Sequence, residues 1–584
     1  MLSRIATRLV ALPSLLLYLL LYAAVVLSHL TLLRLPYFWD EGGYYIPAAL
    51  DFYRHGWLVP HFTNAHPPLP NIVLGTLWHL TGFHILATRL IVCAFAAAAL
   101  LAVLRLTQKL LSPTTALAVT LLTGVYAIWF AQSTLAHADI FAAAFTLWAF
   151  ALYLPCRVCH LDRSMTASSP CAAERSASPA HPYLLTSLLF TLATLSKETS
   201  ILQPATLAAF ELYLLIREPQ NRRDHLRWLT ALSFPLLPLI AWYAYHHHVT
   251  GFTFGNPEFL RYNATANLTP GHIFTALRYR FLHLFWQRQI WLPILLAIAC
   301  LFLPPRNTAP NKKRSSSRPK AAGRSGETPV FAAASAKGAS IPATPYSLLP
   351  TPFLLLILAN WIAFSVLGGA LLTRYLLPIY PLILLLCVAI WRDRTKLWPL
   401  FTGATAAVFI SAWWLNPPTS FAPEDNLAYR DMVVAHQQAI DYVAQHYPHA
   451  TVLSAWPVTA DLFNPDLGYV TTPIKAVSIE DFTRPSFQPI LDDTARTGTA
   501  TYDTAIVFTT HFLEPHFRHY LETHPNTRRG REFAATHDLS PQEIAQLLHG
   551  QVVFQTNQHG EWAAVLRFNR SYEASISSEV GISR

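Results

Sequence analysis

The stretch Phe38-Trp-Asp-Glu-Gly-Gly-Tyr-Tyr-Ile-Pro47 comes just after an apolar run at 9–33 and is closed by His66-Pro-Pro-Leu-Pro70. A run of that length can cross a bilayer, which takes about 20 predominantly apolar residues. The adjacent carboxylates Asp40 and Glu41 then stand at a membrane surface, among aromatic side chains and ahead of a short amphipathic segment at 48–57. Acidic side chains there are costly to desolvate unless something positive or reactive meets them. The rest of the chain reads as scaffolding that holds this loop against the membrane.

Composition points the same way. The 584 residues are 53% hydrophobic and 13% charged, with a mean hydropathy of +0.31, whereas soluble domains carry roughly a quarter charged residues. The formal net charge of +10 raises nucleic acid as a partner. The basic residues cluster in short gaps between apolar runs, however, which is how orientation signals are distributed. The expectation is a polytopic α-helical membrane protein with no nucleic-acid partner.

Candidate spans are 9–33, 85–106, 115–130, 140–154, 184–195, 201–216, 228–245, 290–303, 347–371, 375–391 and 397–415. That makes about eleven by length. The first is too long for the apolar core of a signal peptide and reads as a retained span. The 184–216 pair is interrupted by Ser196-Lys-Glu-Thr-Ser200 and reads either as one broken helix or as a re-entrant turn. Arg4 and Arg8, Arg105 and Lys109, and the basic residues of 217–227, 306–337 and 392–396 fall on one side, taken as cytoplasmic. The gap at 304–346, with Lys312-Lys-Arg314, Arg318, Lys320 and Arg324 among Ser, Ala, Pro and Gly, reads as a disordered basic linker. One loop breaks the pattern: 246–289 carries Arg261, Arg278, Arg280 and Arg288 on the outer side.

An odd span count divides the chain into a membrane core, 1–416, with its first outer loop at 34–84, and an extracytoplasmic α/β domain, 417–571. A disordered tail at 572–584 follows. In that domain, 431–447 has Val433, Val434, Ile440 and Val443 at helical spacing. Segments 451–455 and 504–508 read as short buried strands. Segments 515–523 and 541–548 read as helices with proline at the first position, and 552–555 with 562–568 as a hairpin around Asn557-Gln-His-Gly560.

This topology gathers Asp40 and Glu41, Asp139 at the start of the fourth span, Lys197 and Arg374 at one membrane face. A carboxylate there can deprotonate an attacking hydroxyl or amine, and a cation can hold a phosphate as it leaves. Each residue also has an ordinary reading. Asp40, Glu41 and Asp139 suit helix starts, Lys197 can snorkel, Arg374 can anchor a span end, and His66 is an unremarkable loop histidine in isolation.

Phe38-Trp-Asp-Glu-Gly-Gly-Tyr-Tyr resembles the first-loop Asp-Glu signature of the GT-C membrane glycosyltransferases, nearest to the protein O-mannosyltransferases and the lipid A aminoarabinose transferases. Ala65-His-Pro-Pro-Leu-Pro70 looks like that group's Lys-Pro-Pro-Leu element. Residues 132–141 resemble its second acidic site, and Arg374-Tyr-Leu-Leu-Pro-Ile-Tyr-Pro381 its late Arg-Tyr-Leu-Leu-Pro run. The resemblance covers about the first 400 residues. It implies an inverting transfer from a polyprenyl-phosphate sugar to a lipid, glycan or protein acceptor, at the outer face of a bacterial inner membrane. Asp40, Glu41 and Asp139 would be the catalytic acids, with His66, Lys197, Arg374 and Tyr375 around the lipid phosphate. His66 replaces the group's usual lysine. Ala65 stands where the aminoarabinose branch has an acid, which argues against that particular substrate.

Other readings compete. Cys156-Arg-Val-Cys-His160 matches a haem-attachment pattern but falls in a cytoplasmic loop. Cys156, Cys159, His160 and Cys171 have zinc-ligand types; reduced thiols are the simpler account. Cys93, Cys300 and Cys387 read as small buried hydrophobes, and His246-His-His248 as an interfacial cluster. No cofactor is required, and a divalent metal is open if Asp40, Glu41 and Asp139 converge. Asn263, Asn267 and Asn569 are outward-facing glycosylation sequons. A transporter, or a scaffold presenting the outer domain, are the alternatives of a different class.

Overall fold

The structure is a computed structural model that describes residues 2–61, 66–161, 182–255, 260–261, 268–306, 350–367, 371–417, 421–497, 500–510 and 515–568. The basic linker, Cys171, the three sequons, the chain end and the side chains of Cys159 and His160 lie outside the described residues.

Four helices are long and apolar enough to cross a membrane: Ile85–Leu110, Ala138–Arg157, Glu198–Arg217 and Pro219–Thr250. A fifth is made if Pro270–Gln289 and Trp291–Leu301, bent by 94° at Arg288, count as one span. Five shorter apolar helices accompany them, among them Ser14–Ser28, Pro113–Val125 and Pro182–Ser196. This makes an integral membrane protein, and helix length alone does not establish the expected count of about eleven. The expected first span is broken in two, Leu2–Val10 and Ser14–Ser28, by Pro13, which has no N–H to continue a helix. The stretch at 115–130 likewise ends early, at Val125, and restarts as the short helix Ala127–Gln132.

Ile85–Leu110 and Ala138–Leu161 form the centre of the membrane part. The two helices pack on one another, and both are rich in small buried residues, including Ala96, Ala97, Ala99, Ala144 and Ala151. Small residues let helix backbones approach closely where no hydrophobic force separates protein from lipid. Large apolar side chains such as Leu15, Leu27, Phe302 and Leu400 are exposed instead, as suits a surface solvated by lipid.

The interrupted pair resolves into Pro182–Ser196, a single tight turn Glu198–Ile201, and Leu202–Arg217, with Lys197 in extended conformation at the break. In the 246–289 stretch, Pro270–Phe285 is a helix that carries Arg280, and Arg288 follows in the turn Gln287–Gln289; both are buried, whereas Arg278 is exposed. Cys93, Cys300 and Cys387 are buried and free, and the buried His246 bonds the Phe252 carbonyl through Nδ1 at 2.7 Å.

After Asn416 the chain forms a five-stranded sheet with helices. Its strands are β1 (Val452–Ala455), β2 (Ala476–Ile479), β3 (Thr504–Phe508), β4 (Gly550–Gln558) and β5 (Glu561–Phe568), in the order β2-β1-β3-β5-β4. β1 runs parallel to β2 and β3, and β5 pairs antiparallel with β3 and with β4. The helix Ala428–His446 packs on this sheet with Met432, Val433, Ala439, Ile440 and Val443 buried. β3 and the helix Pro515–Thr523 fall where the sequence places them, and the hairpin is longer than expected on both arms. β2 and the helices Val458–Phe463, Arg484–Thr497 and Arg528–Thr536 have no counterpart in the sequence reading.

This domain sits directly on the first loop. The Tyr37 N–H donates to the Leu467 carbonyl at 3.0 Å, Arg54 pairs with Asp466 at 2.7 Å, and the Trp39 and Trp456 rings meet edge to face at 4.9 Å. Gly43 is required by that contact, because a Cβ there would lie 2.7 Å from the Trp456 ring.

Candidate functional site

The first loop is shaped by one residue that does not join the site. Glu41 is wholly buried and accepts from the Phe38 N–H at 2.9 Å and the Ala136 N–H at 2.6 Å. It also takes two nitrogens of Arg89, whose guanidinium bonds the Thr134 and Pro36 carbonyls as well. A carboxylate saturated in this way fixes the turn. The chain then enters a wide π-turn, Glu41–Tyr45, before the helix Ile46–His55; such turns are rare and are frequent at functional sites. The turn leaves Asp40 facing away from Glu41, toward Arg374.

Arg374 is the hub. It lies in a single tight turn, Thr373–Leu376, and is almost fully buried. One terminal nitrogen pairs with Asp40 and the other with Glu424 at 2.6 Å, while Nε faces Asp139 at 3.4 Å. Asp139 in turn takes the Lys197 ammonium at 2.6 Å, and that ammonium stands 3.9 Å above the Tyr375 ring. Asp139, Lys197, Ser200, Gln203, Arg374 and Tyr375 line a small recess. Asp139 Oδ2 and Arg374 Nε make no hydrogen bond although both are buried. Asp40, Asp139, Lys197, Arg374 and Tyr375 are thus brought together, as the sequence reading expected. Arg374, expected at a lipid phosphate, has all its nitrogens turned to carboxylates instead.

The acids differ in access. The Asp40 side chain is 20% exposed, against 3% for Asp139 and 6% for Glu424. Asp40 is therefore the most accessible of the three. Glu424 belongs to the turn Pro423–Asp425, outside the spans, where burial pushes its carboxyl up to about 7 against the opposing pull of Arg374.

His66 lies beside the cluster. Its Nδ1 is 2.9 Å from Glu198, and its ring stacks on Tyr45 at 5.7 Å. Arg280 donates to the Leu372 carbonyl at 2.6 Å and lies over the rings of Phe364 and Tyr375. Glu424, Glu198, Arg280 and Arg288 were not singled out as site residues from the sequence. The two arginines carried a signal, as cations on the side where few were expected. Glu198 stands next to Lys197, and Glu424 follows the last apolar run without any motif.

Among the described residues no group of three or more His, Cys, Asp or Glu is arranged to hold a metal. Asp40, Glu41 and Asp139 do not converge on a shared point: Glu41 is saturated by Arg89, and a guanidinium stands between the other two. The donor set does not fit a divalent ion.

No family model matches this sequence, and no curated protein matches it. Among solved structures, ArnT from Cupriavidus metallidurans bound to undecaprenyl phosphate is similar at 13% identity and a TM-score of 0.47, over 94% of this chain and 98% of that one. Its apo form gives 14% identity and a TM-score of 0.45, over 94% and 97%. The Archaeoglobus fulgidus oligosaccharyltransferase in complex with zinc and sulfate gives 11% identity and 0.43, over 94% and 72%. Likenesses at this level define no equivalence between residues.

Proposed function

We propose that this protein transfers a sugar, with inversion, from a polyprenyl-phosphate donor to a hydroxyl or amine of a lipid, glycan or protein acceptor at the outer face of a bacterial inner membrane. The observation that carries the reading is one buried guanidinium, Arg374, joining the partly exposed Asp40 to the Asp139–Lys197 pair that lines a recess. The resemblance of the first loop and of the Arg374–Pro381 run to the GT-C glycosyltransferases supports it.

In this reading Asp40 accepts the proton of the attacking group as its oxygen or nitrogen forms a bond to the anomeric carbon. The bond from that carbon to the phosphate oxygen breaks on the opposite face, and the electron pair leaves with the polyprenyl phosphate. Lys197, held between Asp139 and the Tyr375 ring, supplies positive charge where the phosphate gains it. Arg374, paired with Asp40 through one terminal nitrogen, keeps that carboxylate aimed.

The test is transfer of labelled sugar from a panel of polyprenyl-phosphate donors in native membranes, with wild type and Asp40→Asn at matched expression. Wild-type transfer should fall by at least about a hundredfold in the variant, the scale of a lost general base. Transfer undiminished in Asp40→Asn removes Asp40 from the mechanism. No transfer with any donor moves the reading to the transporter or the scaffold.

A further inference from the structure

The turn Pro423–Asp425 is where the chain leaves its last membrane helix for the outer domain, and both its acids reach back into the membrane part. Glu424 takes Arg374 at 2.6 Å, and its carbonyl accepts from Gln132 at 3.4 Å. Asp425 accepts the hydroxyl of Thr373, the residue before Arg374, and stands 3.8 Å from Arg288. Downstream, the Leu427 N–H donates to the Trp413 carbonyl at 3.0 Å, which closes the turn onto the helix end. Two neighbouring acids on one side thus grip two neighbouring residues on the other.

We propose that Glu424 is a positioning residue for the transfer: it acts on Asp40 through the guanidinium they share, so that seating of the outer domain is a condition for a competent site. This rests on the reading of Asp40 given above. The argument is geometric. Asp40 and Glu424 occupy the two terminal nitrogens of one buried arginine, and their oxygens determine in which plane that guanidinium lies. With Glu424 neutral, the guanidinium is no longer held by an ion pair on that side, so Asp40 loses the partner that fixes its direction. The charged groups around Glu424 are Arg374, Asp40 and Asp425, with Arg288 across the turn. Burial pushes the Glu424 carboxyl up to about 7 against the opposing pull of Arg374, which agrees with a carboxylate whose charge costs desolvation in this place.

The experiment compares wild type, Glu424→Gln and Glu424→Asp in the same transfer assay over pH, with Tm measured for each. Positioning predicts that Glu424→Gln lowers kcat about tenfold and leaves donor KM unchanged. Glu424→Asp should restore most of the rate. An unchanged kcat overturns the proposal. So does a fall in rate that tracks the amount of folded protein. If wild type itself transfers nothing, the functional reading fails and the role of Glu424 in transfer fails with it; hydrogen exchange then tests the seating of the first loop alone. Faster exchange at 38–45 in Glu424→Gln at unchanged Tm then supports it, and identical exchange overturns it.

Discussion

Two buried charge clusters stand at opposite ends of the helix Ala138–Leu161, separated by eighteen residues from Asp139 to Arg157 and so by about 27 Å of helix. At the far end Glu211 is fully buried and accepts from Arg157 at 2.6 and 2.7 Å, from His225 at 2.9 Å and from the Tyr153 hydroxyl. Arg157 also reaches Asp224 at 2.7 Å, and Tyr183 closes the ring of contacts on the same acid. Every oxygen of Glu211 has a donor. At the near end Asp139 has one oxygen on Lys197 and the other, without a hydrogen bond, facing Arg374 across 3.4 Å beside a recess. The same residue types on the same helix thus build a closed bracket at one end and an unfinished site at the other. Burial of charge by itself marks neither; the distinction lies in whether the acceptors are used up.

The comparison breaks most visibly at the bracket. Glu211→Ala strands Arg157 without its main partner, and losing one member of a buried pair destabilises by about 3–5 kcal/mol. The expected outcome is a large fall in Tm in detergent, with transfer per folded molecule retained. Asp139→Asn should do the reverse, lowering transfer by about a hundredfold with a smaller change in Tm than Glu211→Ala. If both variants lose stability alike and transfer alike, the two clusters are of one kind.

A third buried acid sharpens the contrast. Glu561, at the start of β5, is 1% exposed with neither oxygen hydrogen-bonded, and burial, aided by Asp431, pushes its carboxyl up to about 8. Its folded value lies above its unfolded one, so folding takes up a proton and stability falls as pH rises from about 4.5 through 8. Glu561→Gln should therefore raise stability at pH 8 and leave it nearly unchanged at pH 4.5, as followed by Tm. A variant that destabilises equally at both pH values refutes this account.

The sequence made one half of these clusters legible. Asp40, Asp139, Lys197 and Arg374 could be found because each stands at the end of an apolar run, where a charge is conspicuous. Which of them pair was hidden for a physical reason: an ion pair is chosen by proximity in space, and Asp40 and Arg374 are 334 residues apart. Glu424 lies in a turn beyond the last apolar run, where an acid is ordinary. Arg280 and Arg288 were visible only as violations of the charge count, and their burial accounts for the violation. Glu41 shows the opposite limit. Adjacent to Asp40 and chemically alike, it takes a different place because successive residues in a tight turn point in different directions. Strand β2 escaped notice because four residues with two intermediate positions and one exposed carry little periodic signal.

The sequence separation of the Asp40–Arg374 pair also has a consequence for how the protein is made. Translation proceeds at about 5–20 residues per second, so roughly 20–70 s pass between synthesis of Asp40 and of Arg374. Glu424 follows fifty residues later still. Throughout that interval the first loop is already presented to the outer side in the proposed orientation, yet it lacks its guanidinium. Under that orientation, a chain under construction carries an incomplete site until Arg374 and Glu424 have been made and have met the first loop.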